Sequence, residues 1–226
     1  MATNYNPRIV TDGLVLALDA GNTKSYPGSG TTWTDLSGNG NTGTLTNGPT
    51  YSSSNGGSIV FDGVDDYVTS FPSQLSGTGS NTINVWFRTT STSRFGLCGI
   101  RGGAPTGWVF TINRTTAGNL TYFHTGGSIL EVAAGITTNT WYCATSTYNV
   151  SSATATLYLN GNQIGSPLSS FTAISSSTFN GVVGAEDYIF SNKLVGNIAQ
   201  VQIYNRALTA AEIQQNFNAL RGRFGI

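Results

Sequence analysis

The sequence predicts an all-β protein, a sandwich of two antiparallel sheets with one short C-terminal helix. Strand-like runs recur about every dozen residues with turn-forming residues between them, which is the spacing typical of a sandwich. Helix signals are found at the end of the chain. Because sandwiches of roughly 200–250 residues routinely form one domain, the 226 residues predict a single domain.

The first 57 residues predict an arm, one strand and a long loop. Residues 1–12 predict an irregular arm. In residues 14–18 apolar side chains occupy both faces, which indicates a buried strand. Residues 21–57 are dominated by Gly, Ser, Thr and Asn, and they predict a loop that Trp33 and Leu36 hold against the sandwich.

The remaining strands follow at regular spacing. They are predicted near residues 58–62, 66–70, 82–89, 94–100, 107–112, 119–124, 129–133, 140–148, 154–160, 179–185 and 194–204. Asn160-Gly161 predicts the clearest hairpin, because both residues tolerate the positive φ of a type I′ turn. Asp62-Gly63 is a similar signal.

The end of the chain predicts a helix that packs on the sandwich. Thr209 and Glu212 have the spacing of a capping box. Ile213, Phe217 and Leu220 then form one apolar stripe at helical spacing. Gly222 is predicted to end the helix.

Composition limits the classes of partner. Charged residues make up 9% of the chain and the net charge is +0. Without a basic stripe to neutralise phosphates, nucleic acid is not expected as a partner. No apolar run is long enough to span a membrane, and the polar start of the chain does not predict a secretory signal. A surface of low charge is expected to suit a protein packed into an assembly.

The two cysteines, Cys98 and Cys143, each lie in a strand-like run. They predict buried free thiols, with a disulfide as the alternative. Zinc is not expected, because there is no Cys-x-x-Cys pair and His124 is the only histidine.

Two segments near the ends of the domain resemble a known family. Residues 58–68 read SIVFDGVDDYV, and residues 196–213 read GNIAQVQIYNRALTAAEI. They are similar to the hairpin that opens, and the segment that closes, the laminin G-like branch of the concanavalin A-like jelly rolls. The resemblance covers about residues 11–220. It implies a jelly roll over 13–220, between the arm at 1–12 and a tail at 221–226.

The opening segments GLVLALDA at 13–20 and WTDLSGNGN at 33–41 narrow this resemblance to jelly-roll proteins of tailed phages. It implies a non-enzymatic protein of the virion surface, a capsid decoration or fibre subunit that docks on other virion proteins and forms a homo-oligomer. The alternative is a lectin-like, secreted module that binds cell-surface glycans. A glycoside hydrolase is the third hypothesis.

The hydrolase hypothesis lacks its catalytic pattern. Retaining glycosidases need two carboxyl groups about 5–5.5 Å apart. The three glutamates are Glu131, Glu186 and Glu212, of which Glu212 is expected to cap the helix. Glu186 and Asp187 are adjacent and would point to opposite faces of a strand. The sequence therefore predicts no enzyme.

Asp62, Asp65 and Asp66 place three carboxylates within five residues. Calcium prefers such oxygen ligands, and laminin G-like relatives often hold it at a sandwich rim, so a calcium site is one hypothesis. The other is structural, because Asp side chains also accept hydrogen bonds from backbone amides in tight turns.

Aromatic and polar side chains that share a strand face are candidate glycan ligands. Alternation places Asn84, Trp86 and Arg88 on one face of their strand, and Tyr122 and His124 on one face of another. If those faces meet, they form a glycan-binding groove; otherwise the aromatic rings pack in the core. A separate candidate at a loop tip is Trp108.

The two ends of the chain are candidate docking arms for a partner, with frayed termini as the alternative. The residues expected to dock are Asn4, Tyr5, Pro7, Arg8, Arg221, Arg223 and Phe224.

Overall fold

A computed structural model describes residues 7–69, 79–101, 107–124, 127–172, 180–186 and 192–226. Two antiparallel sheets pack face to face, and one helix lies on the outer side of the first sheet. The predicted all-β jelly-roll sandwich with a C-terminal helix is confirmed.

The first sheet is built around a long central strand that runs back along the chain. In spatial order its strands are β14 (Asn162–Leu168), β13 (Thr154–Leu159), β12 (Trp141–Asn149), β7 (Asn81–Thr89), β16 (Val195–Tyr204), β5 (Ser58–Asp62) and β4 (Thr50–Ser52). The start of β16 pairs with β5, and its second half pairs with β1 (Leu14–Asp19). The two family-like segments, far apart in sequence, are therefore neighbours in one sheet.

The second sheet covers the inner face of the first. Its strands, in spatial order, are β11 (Ile129–Ala133), β10 (Asn119–His124), β9 (Gly107–Ile112), β8 (Phe95–Arg101), β15 (Val182–Val183), β6 (Tyr67–Thr69), β3 (Gly43–Thr46) and β2 (Thr32–Trp33). The strands predicted from residue 58 onward are confirmed, most within one or two residues. The loop predicted over 21–57 is wrong in part, because three short strands form there: β2 and β4 at sheet edges, and β3 between β2 and β6.

The core fills the space between the sheets. Ile83, Val85 and Phe87 of β7 point into it, as strand alternation predicted. Trp33 is fully buried there, so its predicted anchoring role is confirmed. Leu36 remains 38% exposed, and only its backbone N–H is held, by the carbonyl of Ala17. Leu36 therefore holds the loop to strand β1 through this backbone hydrogen bond.

Helix α1 (Ala210–Phe224) begins with the predicted capping box: the Thr209 hydroxyl accepts from the Glu212 N–H, and the Glu212 carboxylate accepts from the Thr209 N–H. The helix does not end at Gly222. It continues to Phe224 and ends at Gly225, which has the left-handed conformation typical of a C-cap. The last turn persists because Phe224 is buried against the sheet.

The described part of the N-terminal arm, residues 7–12, is packed on this helix. Val10 is buried; its N–H donates to Asn216 Oδ1 at 2.8 Å, and its carbonyl accepts from the Tyr204 hydroxyl at 3.0 Å. Arg206 forms an ion pair with Asp12. The arm from Val10 onward is thus part of the domain and is not free for docking.

Both cysteines are free and buried, in agreement with the preferred prediction. Cys98 lies in the core between the sheets, and Cys143 lies under the helix. Burial raises the pKa of both thiols, so they remain protonated. In the described part of the chain, no helix is long and apolar enough to cross a membrane.

Candidate functional site

The predicted glycan residues of β7 lie on the outer face of the first sheet, beneath helix α1. Trp86 is fully buried, and its ring stacks on Phe224 (centroids 4.2 Å apart, planes 15° apart) and on Phe217 (5.7 Å, 6°). Asn84 is also buried; it donates to Gln202 and accepts from Thr145. The helix occupies the place where a sugar ring would stack, so these two residues do not line an open groove.

Arg88 lies at the edge of the same face. One of its Nη groups donates to Asn139 Oδ1 at 3.1 Å, which ties β7 to the loop before β12. The guanidinium therefore has a structural contact.

The other glycan candidates lie on the inner side of the second sheet. Trp108, Tyr122 and His124 are buried, and Trp108 and Tyr122 belong to the core between the sheets. His124 Nε2 lies 2.9 Å from the Tyr122 hydroxyl, and both rings pack on Phe171. Desolvation lowers the pKa of His124 to about 4.

The predicted groove is therefore wrong for a geometric reason. Asn84 and Trp86 face the helix layer, whereas Tyr122 and His124 face the core on the opposite side of the first sheet. Strand alternation gave the face of each side chain, but it did not identify the layer that covers that face. The loop-tip expectation for Trp108 is also wrong, because Trp108 lies within β9.

The acidic turn, residues 62–66, joins β5 to β6. The carboxylates of Asp62, Asp65 and Asp66 offer oxygen atoms within 4.8 Å of one another. Asp62 Oδ1 accepts from the N–H of Val64 at 2.7 Å, and this bond lowers the Asp62 pKa. Asp66 Oδ2 accepts from the Asp62 N–H, and desolvation raises its pKa. These bonds suffice to shape the turn, and the same oxygens fit the ligand preference of calcium.

The three glutamates hold structural contacts. Glu186 is fully buried and accepts from the Arg94 guanidinium at two points, 2.7 and 2.8 Å. Glu131 accepts from Thr115 and Asn119. Glu212 caps the helix and pairs with Arg206, which lowers its pKa to about 2. None of these contacts joins two carboxyl groups.

The predicted C-terminal tail is the last turn of α1. Arg223 pairs with Asp19 at 2.7 Å and donates to the carbonyls of Asn55 and Gly57. Arg221 lies over the Phe217 ring. These contacts hold the predicted tail on its own domain. At the other end, Asn4 and Tyr5 lie outside the described residues, and the backbone of Arg8 is held by Gln215.

A cleft opens at one end of the sandwich, between the loops 90–94, 113–118 and 134–140. We call it the rim cleft; its volume is about 200 Å³. It is lined by Thr89, Ser91, Thr92, Asn113, Ala117, Gly118, Gly135, Ile136, Thr137 and Thr138. Since antiparallel strands alternate in direction, β7, β9 and β11 all end at this rim.

Side-chain and backbone hydrogen bonds tie the three loops together. Asn113 has a positive φ of 58° and connects two of them: its Nδ2 donates to the Ser93 carbonyl and its Oδ1 accepts from the Gly118 N–H. The Gly118 carbonyl in turn accepts from the N–H of Ile136. These hydrogen bonds hold the three loops around the rim cleft.

Further hydrogen bonds hold the loop 134–140, which precedes β12. The Tyr142 hydroxyl accepts from the Thr137 N–H at 3.1 Å and lies 3.0 Å from the Thr137 hydroxyl. The Asn139 N–H donates to the carbonyl of Thr89, at the end of β7. This loop is thus attached to the sheet on both sides of the cleft.

The lining is polar and uncharged. Within the described part of the chain, the hydroxyls of Thr92 and Thr138 have no protein hydrogen-bond partner and are available to a ligand. Ile136 adds a buried apolar patch. These residues lie in short loops rich in Thr, Ser, Gly and Asn. Such loops contain no motif for a binding site, so the sequence analysis did not identify the cleft. The alternating direction of the predicted antiparallel strands could have placed these three loops at the same end of the sandwich.

Comparison with known proteins agrees with the fold. A family model described as the concanavalin A-like lectin/glucanases superfamily matches residues 62–214, more than half of the chain. A comparison with characterised protein sequences gives no match.

Three solved structures illustrate the likeness. Domain 4 of AbnA, a GH43 extracellular arabinanase from Geobacillus stearothermophilus, in complex with arabinotriose, has a TM-score of 0.71 at 15% identity and covers 90% of this chain and 97% of that chain. The binding domain of Paraclostridial Mosquitocidal Protein 1 has a TM-score of 0.67 at 20% sequence identity, and the match covers 92% of this chain and 52% of that chain. Trypanosoma rangeli sialidase in complex with sialic acid has a TM-score of 0.68 at 13% sequence identity, and the match covers 93% of this chain and 33% of that chain.

These identities show the fold alone. The chain spans about half the length of the mosquitocidal binding-domain structure and a third of the sialidase. The family model and the two-sheet architecture agree with the resemblance of residues 58–68 and 196–213. The chain belongs to the concanavalin A-like lectin/glucanase superfamily.

Proposed function

We propose that this chain is a non-catalytic carbohydrate-binding domain whose ligand occupies the rim cleft. The observation that carries the proposal is the cleft itself, which is fixed by hydrogen bonds between its loops and lined by uncharged hydrogen-bonding groups. A preformed site loses less free energy to ordering when a ligand binds. The likeness to domain 4 of AbnA, solved with arabinotriose, supports a saccharide ligand.

The absence of catalysis is part of the proposal. Glycoside hydrolysis uses two carboxyl groups that flank the scissile bond. Glu186 and Glu131 are held by Arg, Thr and Asn groups, and neither lines the rim cleft. A bound saccharide would therefore meet hydroxyls and loop backbone, which can orient it but cannot supply the acid and base of hydrolysis.

The size of the cleft limits what it holds. Pockets for drug-sized ligands measure roughly 300–1,000 Å³, so a cleft of about 200 Å³ takes a smaller group, such as one sugar ring. A ring of about a dozen non-hydrogen atoms, each contributing about 0.3 kcal/mol, gains about 4 kcal/mol, which is a millimolar Kd. Useful avidity then requires several copies, which agrees with the proposed homo-oligomer.

Thr92→Trp tests the cleft directly. Thr92 lines the cleft and is exposed, so a tryptophan there is expected to fill the space without disturbing the core. The matched control is Thr90→Trp, an exposed position two residues away that is outside the lining. A glycan array with multivalent protein, followed by NMR titration of the best saccharide, measures binding.

We expect Thr92→Trp to lose at least tenfold in affinity and Thr90→Trp to bind as the unmodified chain does. Equal binding by both variants would place the saccharide elsewhere. No binding by the unmodified chain to any glycan would contradict the proposed function.

We propose further that the domain works on the surface of a phage virion, as a decoration or fibre subunit. The resemblance to tailed-phage jelly rolls and the low charge of the chain support this setting. A secreted module is the alternative. Co-sedimentation with purified virions or empty capsids tests it, with a variant lacking residues 1–6 as the probe of the arm. The deletion stops there because Val10 is buried in the fold.

Stoichiometric co-sedimentation is expected, and its loss on deletion would place the arm at the contact. Absence of the protein from purified virions would contradict the virion setting and leave the secreted module. Calcium at the acidic turn is a separate proposal, supported by three carboxylates within 4.8 Å; its test is given below.

A further inference from the structure

We infer that the rim cleft selects uncharged sugar rings and excludes rings that carry a carboxylate or sulfate. This inference rests on the proposed saccharide-binding function and names the class of its ligand. Of the described residues that line the cleft, none carries a charge: all are Thr, Ser, Asn, Ala, Gly or Ile.

An anionic ring would need a cation in the cleft, because burying a carboxylate without a partner is unfavourable. The arginine side chains near the cleft contact other protein groups. Arg94 is paired with buried Glu186, and the Arg114 guanidinium lies over the Phe123 ring at 4.9 Å from its centroid. Arg88 is hydrogen-bonded to Asn139. Lys193 is outside the lining.

Carboxylates also lie at this end of the sandwich. Asp62 of the acidic turn pairs with Val195 in the sheet, and the Val195 carbonyl accepts from the hydroxyl of Thr89, which lines the cleft. The three carboxylates of the turn thus lie at the same end of the sandwich as the cleft. They repel an approaching anionic sugar, and the net charge of +0 adds no attraction at longer range.

Hydroxyls and amides suit the opposite class of ligand. The free hydroxyls of Thr92 and Thr138 both donate and accept, which matches the hydroxyls of a neutral ring. Asn113 is committed to shaping the loops, so the ligand's polar contacts come from threonines and loop backbone. Each of these contacts is available to a neutral sugar without burying a charge.

The test compares sugars that differ in one charged group. A glycan array carrying neutral, uronic-acid and sialylated glycans identifies the class that binds. NMR titrations then measure the ratio of Kd values for the neutral and the acidic member of each matched pair, such as the methyl glycosides of galactose and galacturonate. We expect the neutral member to bind at least tenfold more tightly, with a ratio that falls as salt screens the acidic turn.

Thr138→Lys adds a cation to the lining and is expected to shift the Kd ratio at least fivefold toward the acidic sugar. Thr140→Lys, exposed in the same loop but outside the lining, is the matched control for added charge at the rim and should shift the ratio less than Thr138→Lys does. Equal or tighter binding of acidic sugars by the unmodified chain would overturn the inference while leaving the proposed function intact. Binding of no glycan of either class would contradict both.

Discussion

The outer face of the first sheet and the rim cleft use similar polar residues, but only the cleft is open. On the outer face, Asn84, Gln202 and Thr145 form a hydrogen-bonded layer beneath α1, and Trp86 stacks on two phenylalanines. At the rim, the hydroxyls of Thr92 and Thr138 have no hydrogen-bond partner among the described residues. The first region has the composition of a glycan platform and serves as a helix-docking surface.

Residue type alone therefore does not distinguish a binding surface from a packing surface. Trp86 offers the flat ring that a sugar would stack on, yet Phe224 occupies that ring at 4.2 Å. The cleft residues are less distinctive in sequence, and they become a site because three loops meet. The variants below separate the two regions by asking which residues carry stability and which carry binding.

Trp86→Ala should have the largest effect. Removing a fully buried tryptophan leaves a cavity beneath α1 and costs about 3–5 kcal/mol. At roughly 2–4 °C per kcal/mol, the Tm should fall by about 6–20 °C. Denaturant unfolding measures the loss, and saccharide binding by the folded fraction should be unchanged. Phe224→Leu, which keeps an apolar side chain on the ring, should cost less. A stable Trp86→Ala protein that has lost binding would reverse the comparison.

His124 should make the stability of the domain sensitive to acid. Its pKa is lowered from 6.5 to about 4 by burial, so the unfolded chain takes up the proton first as the pH falls. The free energy of unfolding is therefore fully present above pH 6.5 and declines between pH 6.5 and 4. At about 1.4 kcal/mol per unit, the decline approaches about 3 kcal/mol.

His124→Phe tests this, because a phenyl ring suits the cluster of Tyr122, Tyr148 and Phe171. Urea unfolding at pH 8, 6 and 4 should show a smaller acid loss for His124→Phe than for the unmodified chain. Identical pH profiles would show that His124 does not titrate in this range.

Thr209→Ala should cost about 1 kcal/mol, because it removes the hydroxyl that caps helix α1. Glu212→Gln is the companion variant, since it retains an N3 oxygen but loses the charged contact with Arg206. The pKa of Glu212 is lowered to about 2, so its contribution is present above pH 4.5 and lost as the pH falls toward 2. Thermal unfolding at pH 7 and pH 3 measures both effects; a pH-independent cost of Glu212→Gln would contradict the role of its charge.

Asp62→Ala should have the smallest effect, a slight fall in Tm from the loss of acceptors for the amides of Val64 and Asp65. Melting curves with added calcium and with chelator separate the two roles of the acidic turn. If the turn is structural only, chelator leaves the Tm of the unmodified chain unchanged. A Tm that rises with calcium in the unmodified chain, and not in Asp62→Ala, would establish a cation site.

The fold and most of its strands and turns follow from local signals in the sequence. The segments at 58–68 and 196–213, the strand spacing and the capping box at Thr209 are local signals, and each fixes a strand, a turn or a helix start without reference to the rest of the chain. Alternation in β7 also gave the correct inward face, because the side-chain period of a strand is two. The free, buried state of Cys98 and Cys143 followed from their place in strands.

The layer that covers each sheet face and the position of the rim cleft depend on tertiary contacts. Helix α1 continues through Gly222 because burial of Phe224 outweighs the poor helix propensity of glycine, and that extra turn closes the face over Trp86. Arg223 meets Asp19 across nearly the whole length of the chain. The rim cleft arises from hydrogen bonds between loops distant in sequence, such as the bond from Asn113 to Ser93. Such contacts have no period and no local motif, so no pattern along the chain predicts them.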